Sequence, residues 1–310
     1  MIKLKKPIIP AKITQDMTVR QLVDSFSSCA FGAGRLSEAA EIYREMVSDS
    51  ECTKFFGLAG AMVPAGMRQI VSDMIRDGDI DILVTTGANL VHDIIESLGL
   101  HHYKGTDVTD DVELKHNSIN RIYDVFLPEE NFSKLEDKLQ PIFRELPDKL
   151  SISELLSHIG EKLDDRNSIL KSAYDMGIPV YCPAIQDSII GLQAWLYRQT
   201  KPLNVDVFAD MKGLIDRCYE ARHSGVFILG GGVPKNFILQ SMLVTPRSFD
   251  YAIQLTMDRP ETGGLSGATL DEARSWGKIG ENARLVTVYS DATITLPIII
   301  AAAKNKRERP

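Results

Sequence analysis

Ile80-Asp81-Ile82-Leu83-Val84-Thr85-Thr86-Gly87-Ala88-Asn89 is the stretch on which the fold turns. Apolar residues fill a strand-length segment, two threonines close it, and a glycine turn follows at once. Residues 90–98 then carry apolar side chains at helical spacing. A buried strand that runs through a glycine turn into a helix is the unit of a parallel α/β sheet, because parallel strands need a crossover between them. In such sheets ligands lie beyond the C-terminal strand ends, against helix N-termini. Thr85, Thr86 and Gly87 are therefore candidate cofactor contacts. A plain tight βα turn explains the same residues equally well.

The pattern recurs outward from this stretch. Residues 54–61 read as a buried strand broken by Pro64 and Gly66, and residues 67–75 as an amphipathic helix. Residues 178–183 form a strand that runs into Ala184-Ile185-Gln186-Asp187. An aspartate there can hold a ribose hydroxyl or an amine, or cap the next helix. Val226-Phe227-Ile228-Leu229 runs into Gly230-Gly231-Gly232. Gly231 and Gly232 would let a phosphate or a ring lie close to the backbone, although the spacing is not the GxGxxG fingerprint. Residues 251–255 and 285–289 are further strands, the second delivering Ser290-Asp291. Helices are expected over 19–28, 37–46 (with Ser37 as N-cap), 132–146, 150–163, 203–219, 237–242 and 296–303. Residues 31–35 read as a glycine turn, and His101-His102 and Asp107 to Glu113 as surface loop. The fold class is α/β, Rossmann-like, with a mostly parallel central sheet flanked by helices. One domain is expected over 1–310, with an extended arm at about 1–15 and a frayed tail at about 304–310.

Composition narrows the function. The 310 residues carry a net charge of −7 and are 44% hydrophobic, which suits a globular protein with a large core. The acidic balance argues against nucleic acid or a membrane surface as partner and is compatible with a cationic ligand. No apolar run reaches the length of a membrane helix, and the N-terminus has no signal-peptide pattern. Cys29, Cys52, Cys182 and Cys218 are scattered, without metal-binding spacing, and read as reduced thiols in a cytoplasmic protein. His101-His102, with no third ligand nearby, does not make a metal site.

The chemistry concentrates in Gly263-Gly264-Leu265-Ser266-Gly267-Ala268-Thr269-Leu270-Asp271-Glu272-Ala273-Arg274-Ser275-Trp276-Gly277-Lys278-Ile279. A glycine loop enters a short helix on which Glu272 and Trp276, four apart, share a face. A lysine beside a tryptophan can be partly desolvated, and its neutral amine is a nucleophile that forms imines. The plain alternative is a solvated lysine after a helix end, with Trp276 in the core.

From about Cys52 to Pro297 the chain resembles the deoxyhypusine synthase family. The resemblance rests on Cys52-Thr53, Phe56-Gly57, Asp81–Thr86, Ile119-Asn120-Arg121-Ile122, Pro179-Val180, Leu229–Val233, Ser266-Gly267-Ala268, Asp271-Glu272-Ala273 and, most specifically, Ser275-Trp276-Gly277-Lys278-Ile279. It implies NAD as cofactor, a polyamine substrate and transfer of an aminobutyl group through a lysine imine. Lys278 stands at the imine-forming lysine, Trp276 at the tryptophan that packs on the polyamine, and Glu272 at an amine-binding carboxylate. Thr86, Asp187, Ser266 and Asp291 stand at NAD-contacting positions. The resemblance also implies a homotetramer with sites between subunits.

Departures from the family pattern bear on the substrate. Asn236 replaces the catalytic histidine; an amide can bind but cannot shuttle a proton near neutral pH. His92 replaces a glutamate, and Leu192 and Leu265 replace amine-binding aspartates. Ala59-Gly60-Ala61 and Pro64 stand where small polar residues meet NAD. This pattern is similar to the bacterial deoxyhypusine synthase-like proteins. The leading expectation is an NAD-dependent aminobutyl transferase acting on small amines, as in homospermidine formation. The alternatives are a true deoxyhypusine synthase that modifies a protein lysine with spermidine, and a non-catalytic protein that binds NAD or polyamine.

Overall fold

Apolar strand runs and amphipathic helices set the architecture. A computed structural model describes residues 6–304. The strands are β1 (Cys52–Leu58), β2 (Ile82–Thr85), β3 (Tyr103–Lys104), β4 (Ile119–Ile122), β5 (Val125–Pro128), β6 (Lys149–Ser151), β7 (Val180–Tyr181), β8 (Asn204–Asp206), β9 (His223–Leu229), β10 (Phe249–Thr256) and β11 (Ile279–Tyr289). The helices are α1 (Val19–Ser25), α2 (Phe31–Ser48), α3 (Arg68–Arg76), α4 (Gly87–Ser97), α5 (Asp111–His116), α6 (Glu130–Glu145), α7 (Ile152–Glu161), α8 (Ile169–Asp175), α9 (Ile189–Arg198), α10 (Ala209–Glu220), α11 (Gly232–Leu243), α12 (Leu270–Ser275) and α13 (Ala292–Ala303). The described residues fold as two compact units, one formed by the chain up to Gly57 and from Arg217 onward, the other by Leu58–Asp216. The class is α/β and Rossmann-like, with parallel pairing of β9 with β10, β10 with β11, and β2 with β7.

In the first unit the strand order is β11-β10-β9-β1. Tyr251 lies opposite Gly225 on one side and Arg284 on the other, so β10 is paired along both edges. A central strand buried on both faces needs a near-continuous apolar run, and β9 is buried from Ser224 to Leu229. Phe227 meets Tyr43 and Phe56 edge to face, at centroid distances of 5.7 and 5.5 Å. Such pairs add about 0.5–1.5 kcal/mol each beyond their burial. The glycine turn expected at residues 31–35 is instead the first turn of α2. The reason is tertiary: a Cβ at Gly34 would fall 2.4 Å from the Cys29 carbonyl oxygen, so glycine serves a close approach there. Residues 6–14 have no regular structure and are exposed. Residues 1–5 of the expected arm, and the tail beyond Lys304, lie outside the described residues.

In the second unit β2 feeds α4, as the opening stretch predicts, but the helix starts at Gly87. Asp93, on the buried side of α4, organises its neighbours. It accepts from Arg68 Nε at 2.7 Å, from Ser168 Oγ at 2.8 Å, and from the Ile169 and Leu170 amides at 3.0 Å each. It thereby caps α8 from another element, since the first amides of a helix have no partner of their own. Ser151 caps α7 in a capping box with Glu154. Of the two segments expected as surface loop, the second runs into α5 from Asp111, while Tyr103–Lys104 between them form β3 of a small antiparallel sheet in the order β3-β5-β4. The helix expected over 203–219 is preceded by β8, which pairs with β6.

All four cysteines are free thiols. Cys52, Cys182 and Cys218 are buried and Cys29 is half-buried. Burial pushes the Cys182 and Cys218 thiols up to about 12.

Candidate active site

The Ser-Trp-Gly-Lys segment owes its geometry to a helix end. Thr269 caps α12 by accepting from the Glu272 amide at 3.1 Å. At the other end Gly277 adopts φ +72°. Its amide reaches the Arg274 carbonyl at 2.9 Å, and the Lys278 amide reaches the Ala273 carbonyl at 3.1 Å. This is a Schellman closure, which needs a left-handed residue just past the helix. The Lys278 carbonyl in turn accepts from the Phe249 amide at 3.2 Å. The backbone of Lys278 is thus pinned to α12 on one side and β10 on the other.

The side chains meet at a cavity of about 320 Å³ in the first unit, between α11 and α12. Lys278, Trp276, Glu272 and Asn236 all line it, so the structure brings these four together. Lys278 Nζ donates to Gln240 Oε1 at 3.2 Å and lies 5.6 Å from the Trp276 ring centroid. Trp276 is 61% exposed, which overturns the alternative that it belongs to the core. A solvent-facing aromatic beside a lysine is a surface on which an alkyl amine can lie.

The sequence did not single out Lys235. It is 4% exposed and also lines the cavity. Its Nζ donates to Gln254 Oε1 at 3.0 Å, to the Leu265 carbonyl at 3.1 Å and to the Ala268 carbonyl. Burial pulls its pKa down to about 8, with Glu272 opposing and Lys278 adding to the fall. The available signal was a glutamine in the middle of an apolar strand. Gln254 is wholly buried and donates to the Gly230 and Ser266 carbonyls, each at 2.9 Å.

The expected cofactor positions divide between the units. In the first, Gly231 packs so closely on the glycine loop that a Cβ would fall 2.4 Å from Ser266 Cα. Gly230 and Gly232 carry φ of +72° and +57°. This cradle at the end of β9, opening into the N-terminus of α11, suits a phosphate-bearing ligand. Asp291 caps α13 by accepting from the Thr293 amide at 2.8 Å. In the second unit Thr85 is buried, and its hydroxyl donates to the Leu58 carbonyl at 3.0 Å. Thr86 is half-buried and accepts from Asn89 Nδ2 at 3.3 Å. Gly87 makes room for Ser188, whose Cβ would lie 2.4 Å from an added Cβ. Ser188, not Asp187, caps α9, which leaves the Asp187 carboxylate exposed.

A second cluster lies in the second unit. Glu96 Oε1 accepts from His102 Nδ1 at 2.6 Å, and His102 Nε2 lies 2.9 Å from His92 Nδ1. Burial, and then the neighbouring His102, push the His92 pKa down to about 4. Burial alone would raise the Glu96 carboxyl; hydrogen bonds from the His102 ring and amide outweigh it and hold the carboxyl below its usual range. Among the described residues no group of three or more His, Cys, Asp or Glu side chains could hold a metal, and no helix is long and apolar enough to cross a membrane.

The α/β fold and a lysine-bearing cavity between α11 and α12 define a class, and comparison with known proteins gives it a family. The sequence model described as deoxyhypusine synthase matches residues 21–303, and the chain belongs to this family of NAD-dependent aminobutyl transferases. It is 64% identical over 304 residues to "Probable deoxyhypusine synthase 1" of Methanosarcina mazei, covering 98% of this chain and 96% of that one. It is 50% identical over 290 residues to "Probable deoxyhypusine synthase 1" of Archaeoglobus fulgidus, covering 94% and 95%. These relatives are archaeal. A solved structure titled as a putative deoxyhypusine synthase from Entamoeba histolytica shares the fold, with a TM-score of 0.67, 19% identity and 93% coverage of each chain.

Proposed function

We propose that the protein is an NAD-dependent transferase that moves an aminobutyl group between small amines, with Lys278 as the imine-forming residue. The observation that carries this reading is Lys278 Nζ on the wall of a cavity that also presents Trp276 and Glu272. Glu272 would hold an ammonium end of the substrate and Trp276 its methylenes. The neutral amine of Lys278 would attack the substrate imine carbon. A C–N bond forms to Nζ, the bond to the departing amine breaks, and the departing amine keeps the proton. The acceptor amine reverses these steps and frees Lys278. Bound NAD supplies a reversible hydride acceptor. Within the first unit Gly231, Ser266 and Asp291 are the candidates to hold it; within the second unit Thr86 and Asp187 are separate candidates. Asn236 would orient the amine without exchanging a proton. Glu272 and Trp276, both open to solvent in the single chain, support the further reading that a homotetramer completes the site.

Incubation with NAD and putrescine or spermidine, followed by borohydride and intact-mass measurement, tests the reading. A secondary-amine aminobutyl adduct at Lys278 is expected, and the amine that yields it names the donor. No adduct with either amine would exclude the imine mechanism for them. A second reading has its own support in the names of the 64% identical relatives: modification of a protein lysine with spermidine. Label from spermidine on a precursor protein, with none on small amines, would favour it.

A further inference from the structure

His92 is a buried titratable group that the aminobutyl transfer leaves unused, and its hydrogen bonds run in one direction. Glu96 Oε1 accepts from the His102 amide at 3.0 Å and from His102 Nδ1 at 2.6 Å. An ionised carboxylate only accepts, so the His102 proton sits on Nδ1 and its Nε2 is bare. His92 Nδ1 lies 2.9 Å from that bare nitrogen and donates to it. His92 Nε2 is therefore left with a lone pair and no proton. It has no hydrogen-bond partner among the described residues, yet it is not one of the enclosed atoms left unsatisfied, so it reaches solvent.

A lone pair on an imidazole that a second imidazole and a carboxylate hold in place is a base with an exit for its proton. A proton taken at His92 Nε2 releases the Nδ1 proton to His102 Nε2. His102 then carries both N–H bonds, and the charge rests 2.6 Å from the Glu96 oxygen. Burial, and then His102, disfavour a proton kept on His92 itself, which pulls its pKa down to about 4; the hand-over avoids that cost. Among the described residues the titratable groups that bear on His92 are His102 and Glu96. His101 lies 3.5 Å from the other Glu96 oxygen, and Asp93 is turned to Arg68 and α8.

Within the second unit this base shares α4 with a candidate cofactor position. Asn89, one turn before His92, donates to the Thr86 hydroxyl at 3.3 Å. Oxidation of an amine by NAD needs a base, because an ammonium must lose an N–H proton before its nitrogen lone pair can drive hydride from the neighbouring carbon.

We propose that His92 Nε2 is the base that deprotonates the substrate ammonium, with His102 and Glu96 as positioning residues that take the proton onward. This rests on the amine-oxidation reading and supplies its base. The N–H proton goes to His92, the C–H electron pair leaves as hydride, and an iminium remains.

Nitrogen NMR of histidine-labelled protein, without nucleotide or amine, reads the tautomers among the chain's six histidines. Near neutral pH His92 is expected to hold its proton on Nδ1; a proton on Nε2 would overturn the proposal. Rapid mixing of the NAD-loaded protein with putrescine or spermidine then follows nicotinamide reduction by absorbance. His92→Ala should slow reduction by about 100-fold or more, and free imidazole in the medium should restore it in part. An undiminished rate, or a slowed variant that imidazole does not rescue, would remove His92 from the role and leave the amine reading intact. Reduction by neither amine in the unaltered protein would sink both. Should His92→Ala fold poorly, His102→Gln keeps a donor for Glu96 and an acceptor for His92 but cannot carry the proton. It should slow reduction by about ten-fold or more with NAD affinity unchanged; a full rate would exclude the relay.

Discussion

Gly277 shows how a single residue places the proposed imine-forming lysine. Its φ of +72° lets the chain leave α12 and present Lys278 with its amide and carbonyl both held. Gly277→Ala should cost about 1–2 kcal/mol of stability from the left-handed backbone alone. Urea unfolding measures that loss, and adduct yield at Lys278 should fall further than stability does. Lys278→Ala should abolish the borohydride adduct with the fold intact by circular dichroism. Lys278→Arg should abolish it too, because a guanidinium stays protonated and offers no amine lone pair. Full adduct formation elsewhere in either variant would remove Lys278 from its role. For Trp276→Ala, loss of the aromatic face should raise the amine KM by about two- to thirty-fold, the equivalent of about 0.5–2 kcal/mol. An unchanged KM would mean that the ring does not carry the substrate.

At the scale of elements, α4 holds two buried networks that face different tasks. Asp93 joins α4 to α3 through Arg68 and to α8 through its first amides. Asp93→Ala strips a buried hub of its charge and should cost about 3–5 kcal/mol, read from denaturant midpoints. His92 gives a pH signature. Its pKa is depressed from the usual 6.5 to about 4, so the folded chain refuses a proton that the unfolded chain accepts. Stability is therefore full above about pH 6.5 and is lost as pH falls toward 4, by about 3 kcal/mol at about 1.4 kcal/mol per unit. Urea unfolding at pH 7 and pH 4.5 should show this loss, and His92→Asn should flatten it; an equal loss in the variant would refute the assignment. These elements also show what a sequence reveals. The β2–α4 unit was legible because its apolar period, threonines and glycine lie within some twenty contiguous residues. Lys235 and Gln254 were not, because they explain each other only once β10 and α11 lie side by side. The glycines of α2 misled for the same reason, since the contact that requires Gly34 is with a carbonyl outside the helix. Likewise, Asp187 and Ser188 compete as caps one residue apart, and only backbone geometry decides between them.

For the whole molecule the proposed state in solution is a homotetramer, which would cover Glu272 and Trp276, both exposed in the single chain. Trp195 and Phe208, also exposed large hydrophobics, are further surface that an assembly could cover. Light scattering during size-exclusion chromatography should give four times the chain mass of 34.4 kDa. A monomer at micromolar concentration would count against shared sites. The cysteines make that assembly easy to follow. Cys29 alone of the four thiols is not buried, and the Cys182 and Cys218 sulfurs are held in their unreactive, protonated form. A maleimide dye should therefore attach once per chain without any engineered background. It would report from the bend after α1, with one fluorophore for each subunit.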